Sequence, residues 1–219
     1  MTEPLSPAID PVKLAKLAEV AVHVGLNLQP GQDLVLTAPM AALPFVRLVA
    51  AAAYRAGAGV VTPIFADEEI TLARYRHAND ASFDRAPGWL YQGMAEAFAG
   101  NAARMAIVGD NPMLLAGQDP DRVARAGKAN SMAYMPALKK VTEFDINWSI
   151  AAYPGTAWAR QVFPDLPEDQ AVAQLAEAIF AASRVNADDP VAAWAAHNAG
   201  LMARRRWRNN HRFAALHFT

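Results

Sequence analysis

Between Asp33 and Asp67 two apolar runs flank a helical run with almost no slack, and that arrangement leaves the chain one class of fold. The first run, Asp33-Leu34-Val35-Leu36-Thr37-Ala38, is short, rich in branched residues and bounded by Pro30-Gly31 and Pro39, so it predicts a buried strand. Leu43 to Ala56 puts Val46, Leu48, Val49, Ala52, Ala53 and Ala56 on one broad helical face, and Gly57 with Gly59 ends it. Val60-Val61-Thr62-Pro63-Ile64-Phe65 is strand-like again. A crossover helix of this length lets the two strands pair in parallel through a right-handed connection. The stretch is a βαβ unit. The predicted class is α/β, a mostly parallel sheet built from βαβ units and flanked by helices on both faces.

A chain of 219 residues can bury a sizeable single core, and no second domain is required within it. Lys and Arg total 20 against 21 Asp and Glu, so no long-range field attracts nucleic acid or an anionic membrane, and neither is expected as a partner. The absence of cysteine excludes a disulfide framework, a thiolate metal site and a cysteine nucleophile together. Met1 to Pro11 lacks the basic start and apolar core of a secretory signal, and no uninterrupted apolar run suffices to span a bilayer. A cytoplasmic protein is expected.

Along the chain, residues 1–9 predict a loose leader, and Asp10-Pro11 an N-cap and first-turn proline opening a helix that runs to Leu26. Ala66-Asp67-Glu68-Glu69 predicts the start of a helix to about His77. A further helix follows Pro87-Gly88, and Arg104-Met105-Ala106-Ile107-Val108 predicts another buried strand. Asp119-Pro120 opens a long helix through Lys139-Lys140, with a bend at Met135-Pro136. Phe144 to Ile150 alternates apolar and polar residues, as an edge strand or one beside a groove does. Helices are predicted over Glu168 to Ala182 and from Pro190 to about Asn209, and Phe213 to Phe218 is strand-like.

Motifs that carry chemistry are sparse. The histidines at 23, 77, 197, 211 and 217 form no His-x-x-x-His or His-Glu-x-x-His pair, and His23 is taken as a lone imidazole in its helix. No Gly-x-Ser-x-Gly elbow, dinucleotide-binding glycine turn or phosphate-binding loop is present. Asp67, Glu68 and Glu69 have two readings: carboxylates offsetting a helix dipole, or a wall of the ligand crevice that forms at strand ends in open α/β sheets. Arg204-Arg205-Arg206-Trp207-Arg208 likewise reads as cations at a helix carboxyl end, with stems covering apolar surface, or as a phosphate-binding patch. Trp148, Tyr153 and Trp158 are expected to form one aromatic anchor for the loop after the fourth strand.

Trp148-Ser149-Ile150-Ala151-Ala152-Tyr153-Pro154-Gly155-Thr156-Ala157-Trp158-Ala159 is also one of three segments that carry a family resemblance. The others are Asp188-Asp189-Pro190-Val191-Ala192-Ala193-Trp194 and the opening, from Leu14-Ala15-Lys16-Leu17-Ala18 to Gly25-Leu26-Asn27-Leu28-Gln29-Pro30-Gly31-Gln32. In this order, along nearly the whole chain, they resemble the amino-terminal half of the thermophilic metallo-aminopeptidases, peptidase family M29, the aminopeptidase T/S group. The resemblance implies a cytoplasmic, homodimeric exopeptidase that removes amino-terminal residues from peptides with two divalent metal ions, zinc or cobalt. In such a site one metal polarises the scissile carbonyl and both acidify a bridging water. The family's metal-holding and catalytic residues belong to its carboxyl-terminal half. No residue of this chain is therefore assigned a catalytic, cofactor-binding or metal-ligating role, and the chain alone is expected to be inactive.

The expected organisation is a leader over 1–9, an α/β domain over 10–212, and the start of a strand over 213–219 leading into a carboxyl-terminal catalytic domain. The domain would supply scaffold and cavity wall. The competing expectation is a self-sufficient, non-catalytic α/β binding or interaction module.

Overall fold

The computed structural model describes residues 6–217. Asp10 caps the first helix, α1 (Pro11–Val20), by accepting hydrogen bonds from the backbone N–H groups of Val12 and Lys13 at 2.8 and 3.1 Å. Its last turn widens into a π-helical segment, Ala21–Leu26, closed by Asn27 in the left-handed conformation. There Gly25 lies so close to Ser149 that a Cβ would sit 2.7 Å from the hydroxyl oxygen. The βαβ unit forms as predicted: β1 (Leu34–Pro39), α2 (Leu43–Arg55) and β2 (Val61–Ala66), with the strands parallel and Leu34 opposite Val61.

Asp67 then caps α3 (Glu68–His77) through the Ile70 amide. A 3-10 segment, Asp80–Asp84, leads to α4 (Gly88–Ala99), β3 (Ala103–Val108) and α5 (Pro120–Thr142), which runs through Pro136. Next come β4 (Trp148–Ala152), α6 (Thr156–Val162), α7 (Glu168–Ala182) and α8 (Pro190–His211). The four strands form one all-parallel sheet in the order β2-β1-β3-β4. Pro63 is compatible with β2 because that strand lies at an edge, where only alternate amides reach β1. Among the described residues no helix is long and apolar enough to cross a membrane.

Alternation along the strands sends side chains into two cores. Leu34, Leu36, Ala103, Met105, Ile107 and Ala151 join α1, α2 and α7 in the larger one, which also takes Phe45, Leu14 and Phe180. Val35 faces the opposite way, into a smaller core with Met94, Phe98, Ala137, Val141 and Ile146 under α4 and α5. The result is a three-layer α/β/α arrangement with helices on both faces.

Three expectations need correction. The fourth strand begins at Trp148, not Phe144: the left-handed Phe144 (φ 59°) ends the α5 region, and Asp145 still donates its amide back to the Lys140 carbonyl at 3.0 Å. Residues 156–162, taken as part of a loop, are a short helix. Over 213–217 the chain makes no strand; Phe213 instead packs on His211 and Trp207 at ring distances of 5.3 and 5.6 Å. Phe218 and Thr219 lie outside the described residues, as do residues 1–5 of the leader.

The connection from α3 to α4 is fastened to α5 by charge. Arg125 donates to Asp84 at 2.5 and 2.9 Å and to Asp80 at 2.8 Å, while Arg122 donates to Asp80 at 3.1 Å. Beneath them Phe83 is fully buried against Tyr75 and Ala126. Hydrogen bonds from Arg125 hold the carboxyls of Asp80 and Asp84 below the ordinary value of 3.8. A lowered folded-state value means that the contribution is present above pH 3.8 and disappears as the pH falls through the lower folded values. Residues 80–84 should accordingly lose amide-exchange protection below that pH sooner than the strands do. High salt should weaken the same attachment, because these carboxylates are mostly exposed.

Candidate functional site

From β1 the chain crosses to β2 on one face of the sheet, then returns past β1 to β3 on the other. Between β1 and β3 the connections therefore diverge, which is where open α/β sheets leave a crevice outside the strand carboxyl ends. Such a crevice is present, about 520 Å³ in volume, between the sheet and the α4/α5 layer. The strands supply Thr37, Ile64, Arg104 and Ala106 to it, α4 supplies Leu90, Tyr91 and Met94, and α5 supplies Asn130, Ser131 and Tyr134. Asp110 stands at the carboxyl end of β3 and is exposed.

Three polar groups give the crevice its chemistry. Arg104 lies on the inner strand β3, in register with Val35 on one side and Trp148 on the other. Its Nε is buried and has no hydrogen-bond partner, and neither does the buried hydroxyl of Tyr134. The Tyr91 ring lies 5.5 Å from that of Tyr134, and its hydroxyl approaches Asn130 Oδ1 at 3.5 Å, the outer limit of a hydrogen bond. Burial, and secondarily Tyr134, push the Tyr91 phenol above its ordinary value, so it stays a neutral hydroxyl through the physiological range.

Residues singled out from the sequence fall elsewhere. Asp67 is a helix cap, and Glu68 accepts a hydrogen bond from the Asn111 amide at 2.8 Å, tying α3 to the loop after β3. Neither these nor Glu69, which pairs with Arg76 at 3.4 Å, line the crevice. His23 is not a lone imidazole: its Nε2 lies 3.1 Å from Glu19 one turn earlier, and Glu19 also pairs with Arg55. His197 contacts Arg184 at 2.9 Å beside Trp194, whose indole N–H donates to the Ser183 carbonyl and pins α8 to the end of α7. His77 and His217 are exposed, and the His211 ring packs against that of Trp207 at 4.4 Å with the planes tilted by 40°.

Arg204, Arg205, Arg206 and Arg208 lie on the exposed last turns of α8. The aromatic anchor is split by the sheet. Tyr153 and Trp158 belong to the α1/α2 side, whereas Trp148 packs against the α4/α5 core. Trp158 is half-buried, so its loss should cost less than the roughly 3–5 kcal/mol of a fully buried ring. Among the described residues no three His, Asp or Glu side chains come together as a metal-holding group, so these residues do not fit a dinuclear metal centre.

Arg104, Tyr91 and Tyr134 belong to no recognisable motif in the sequence. The available signal was a cation at the start of a strand that is otherwise solidly apolar.

Comparison with known proteins agrees with the fold and its order of segments. The description "thermophilic metalloprotease (M29)" matches residues 11–219. Aminopeptidase T of Thermus thermophilus is 51% identical over 205 residues, which are 94% of this chain and 50% of the relative. Aminopeptidase 2 of Geobacillus stearothermophilus is 38% identical over 204 residues, 93% of this chain and 49% of the relative. The solved structure of wild-type AmpT from Thermus thermophilus superposes with a TM-score of 0.88 at 49% identity, covering 94% of this chain and 51% of that one. The chain thus spans about half the length of the curated relatives it matches. With a match along almost all of its length, the chain belongs to the M29 family of thermophilic metalloproteases.

Proposed function

We propose that this chain is the amino-terminal α/β domain of a metal-dependent aminopeptidase, hydrolysing amino-terminal residues from peptides, and that it supplies scaffold and cavity wall to a catalytic domain carrying the metals. The observation that carries the reading is the 51% identity to an aminopeptidase over 94% of this chain but only half of the relative. The description of the family as metalloproteases supports a metal-dependent reaction. The resemblance of the three sequence segments supports two zinc or cobalt ions, a homodimer and a cytoplasmic location.

The domain would comprise residues 10–212, with 213–219 leading into the catalytic part. α8 supports that division: beyond its first turns it is almost wholly exposed, and Leu201, Met202 and Trp207 present apolar surface that the other described residues cover only in part. What this chain contributes to the reaction is positional, through rigid strand ends and the crevice wall.

The purified 219-residue chain is expected to hydrolyse no amino-acid arylamide and to bind neither zinc nor cobalt tightly, whereas a full-length relative such as aminopeptidase T of Thermus thermophilus is expected to do both. Calorimetry with each metal and a chromogenic arylamide assay check this. Micromolar or tighter metal binding by the 219 residues together with hydrolysis would place the site within them and end the proposal.

A further inference from the structure

We propose that the crevice between β1, β3 and the α4/α5 layer is a binding site for a small carboxylate with an apolar body, its carboxylate seated on Arg104 and the Tyr134 hydroxyl. The proposal does not depend on the aminopeptidase reading. Arg104 is half-buried on a central strand, makes no ion pair among the described residues, and its buried Nε has no acceptor, so the desolvation of that nitrogen is uncompensated. The buried Tyr134 hydroxyl in the same crevice also lacks a partner. Two residues with unpartnered donors lining one cavity are an arrangement that an acceptor with two oxygens can satisfy, and a carboxylate accepts from guanidinium and hydroxyl together.

The remaining lining selects among anions. Among the described residues Arg104 is the one cation lining the crevice; the other polar side chains there are the neutral Thr37, Tyr91, Asn130, Ser131 and Tyr134 and the anionic Asp110 at the rim. A phosphate dianion would want a second cation, and the crevice lining holds no other among the described residues. A monoanion fits this balance. Ile64, Leu90 and Met94 then cover the apolar body, and about 520 Å³ lies within the ~300–1,000 Å³ range of small-molecule sites.

Titration calorimetry of the 219-residue chain with 3-phenylpropionate should give saturable binding at one site per chain. The isosteric amide, 3-phenylpropionamide, should bind at least about tenfold more weakly, because it loses the charge-assisted contact. Arg104→Gln should weaken the acid by a similar factor and leave the amide unchanged. Leu90→Trp, which fills the crevice from α4 without touching the cation, should abolish both. N-acetyl-alanyl-phenylalanine with a free or amidated carboxyl end separates the sources: tighter binding of the peptide acid than of phenylpropionate points to peptide carboxyl termini, the reverse points to free acids, and either upholds the site. No binding at roughly 10 mM, equal affinity for acid and amide, or binding unchanged in Leu90→Trp would overturn it. Should Arg104→Gln fail to fold, the acid–amide comparison and Leu90→Trp decide alone.

Discussion

Phe45→Ala is expected to cost about 3–5 kcal/mol of folding stability, a large share of the roughly 5–15 kcal/mol that holds a domain of this kind together. Phe45 sits on the first turn of α2 with none of its surface exposed, and its ring stacks on Tyr153 at 6.2 Å with an interplanar angle of 19°. Truncation would remove the ring's own burial and leave a cavity between α2 and the segment after β4. The surroundings cannot collapse into it easily, because α2 is fixed at both ends by the strands of the βαβ unit. Tyr153 would lose the ring it stacks on, at the point where the chain leaves the sheet. Urea unfolding checks the value: the midpoint should fall while the slope stays constant, and a change below about 1 kcal/mol would mean that the site repacks.

Which parts of this architecture were legible follows from the range of the interactions responsible. The βαβ unit was clear because its signals are local: two dense branched runs, one periodic helix, and turn residues at every junction. Caps at Asp10, Asp67, Asp119 and Asp189 were equally local, and each accepts a backbone hydrogen bond at its helix start. Phe144 to Asn147 misled because apolar–polar alternation says nothing of φ. Phe144 turns left-handed to end α5, and Ile146 reaches the core from a loop. α6 is too short, at 7 residues, to display helical periodicity. The Glu19–His23 pair is local too, at the spacing of four that places two side chains on one helical face.

The crevice was legible only as a rule about strand ends. Its lining comes from α4 and α5, which approach through tertiary packing that no spacing in the chain encodes, and its cation hides in a run that otherwise reads as core. Carboxylates were the more conspicuous candidates at the strand ends, yet Asp67 and Glu68 are consumed by backbone donors. A charged residue beside a helix start has a local use for its charge; one inside a sheet has none, and that contrast is what separates Arg104 from the acidic cluster.

Gly155→Ala should be at least as damaging as the loss of Phe45, for the opposite reason. Gly155 precedes α6 with φ −65° and ψ 142°, a conformation that alanine adopts freely, so backbone strain is not the obstacle. The obstacle is contact. A Cβ there would run into the carbonyl oxygen of Gly109, and a Cβ on Gly109 would run into the backbone of Tyr153. Both neighbours are main chain, held by the Tyr153 amide donating to Val108 at 2.8 Å and the Gly155 amide donating to Tyr153 at 2.8 Å. Unlike the tip of a side chain, they cannot rotate away. The crossing joins the carboxyl ends of β3 and β4 just before Asp110, so relief would mean parting the strands at the rim of the crevice. The cost should exceed the ~1–3 kcal/mol of ordinary overpacking and be accompanied by a change in amide shifts at Gly109 and Asp110. Gly127→Ala, in α5 with nothing within 4 Å of the new methyl, is the control and should instead stabilise by about 0.5–1 kcal/mol. Equal melting temperatures for Gly155→Ala and the parent chain would show that the two glycines do not bring the strand ends together.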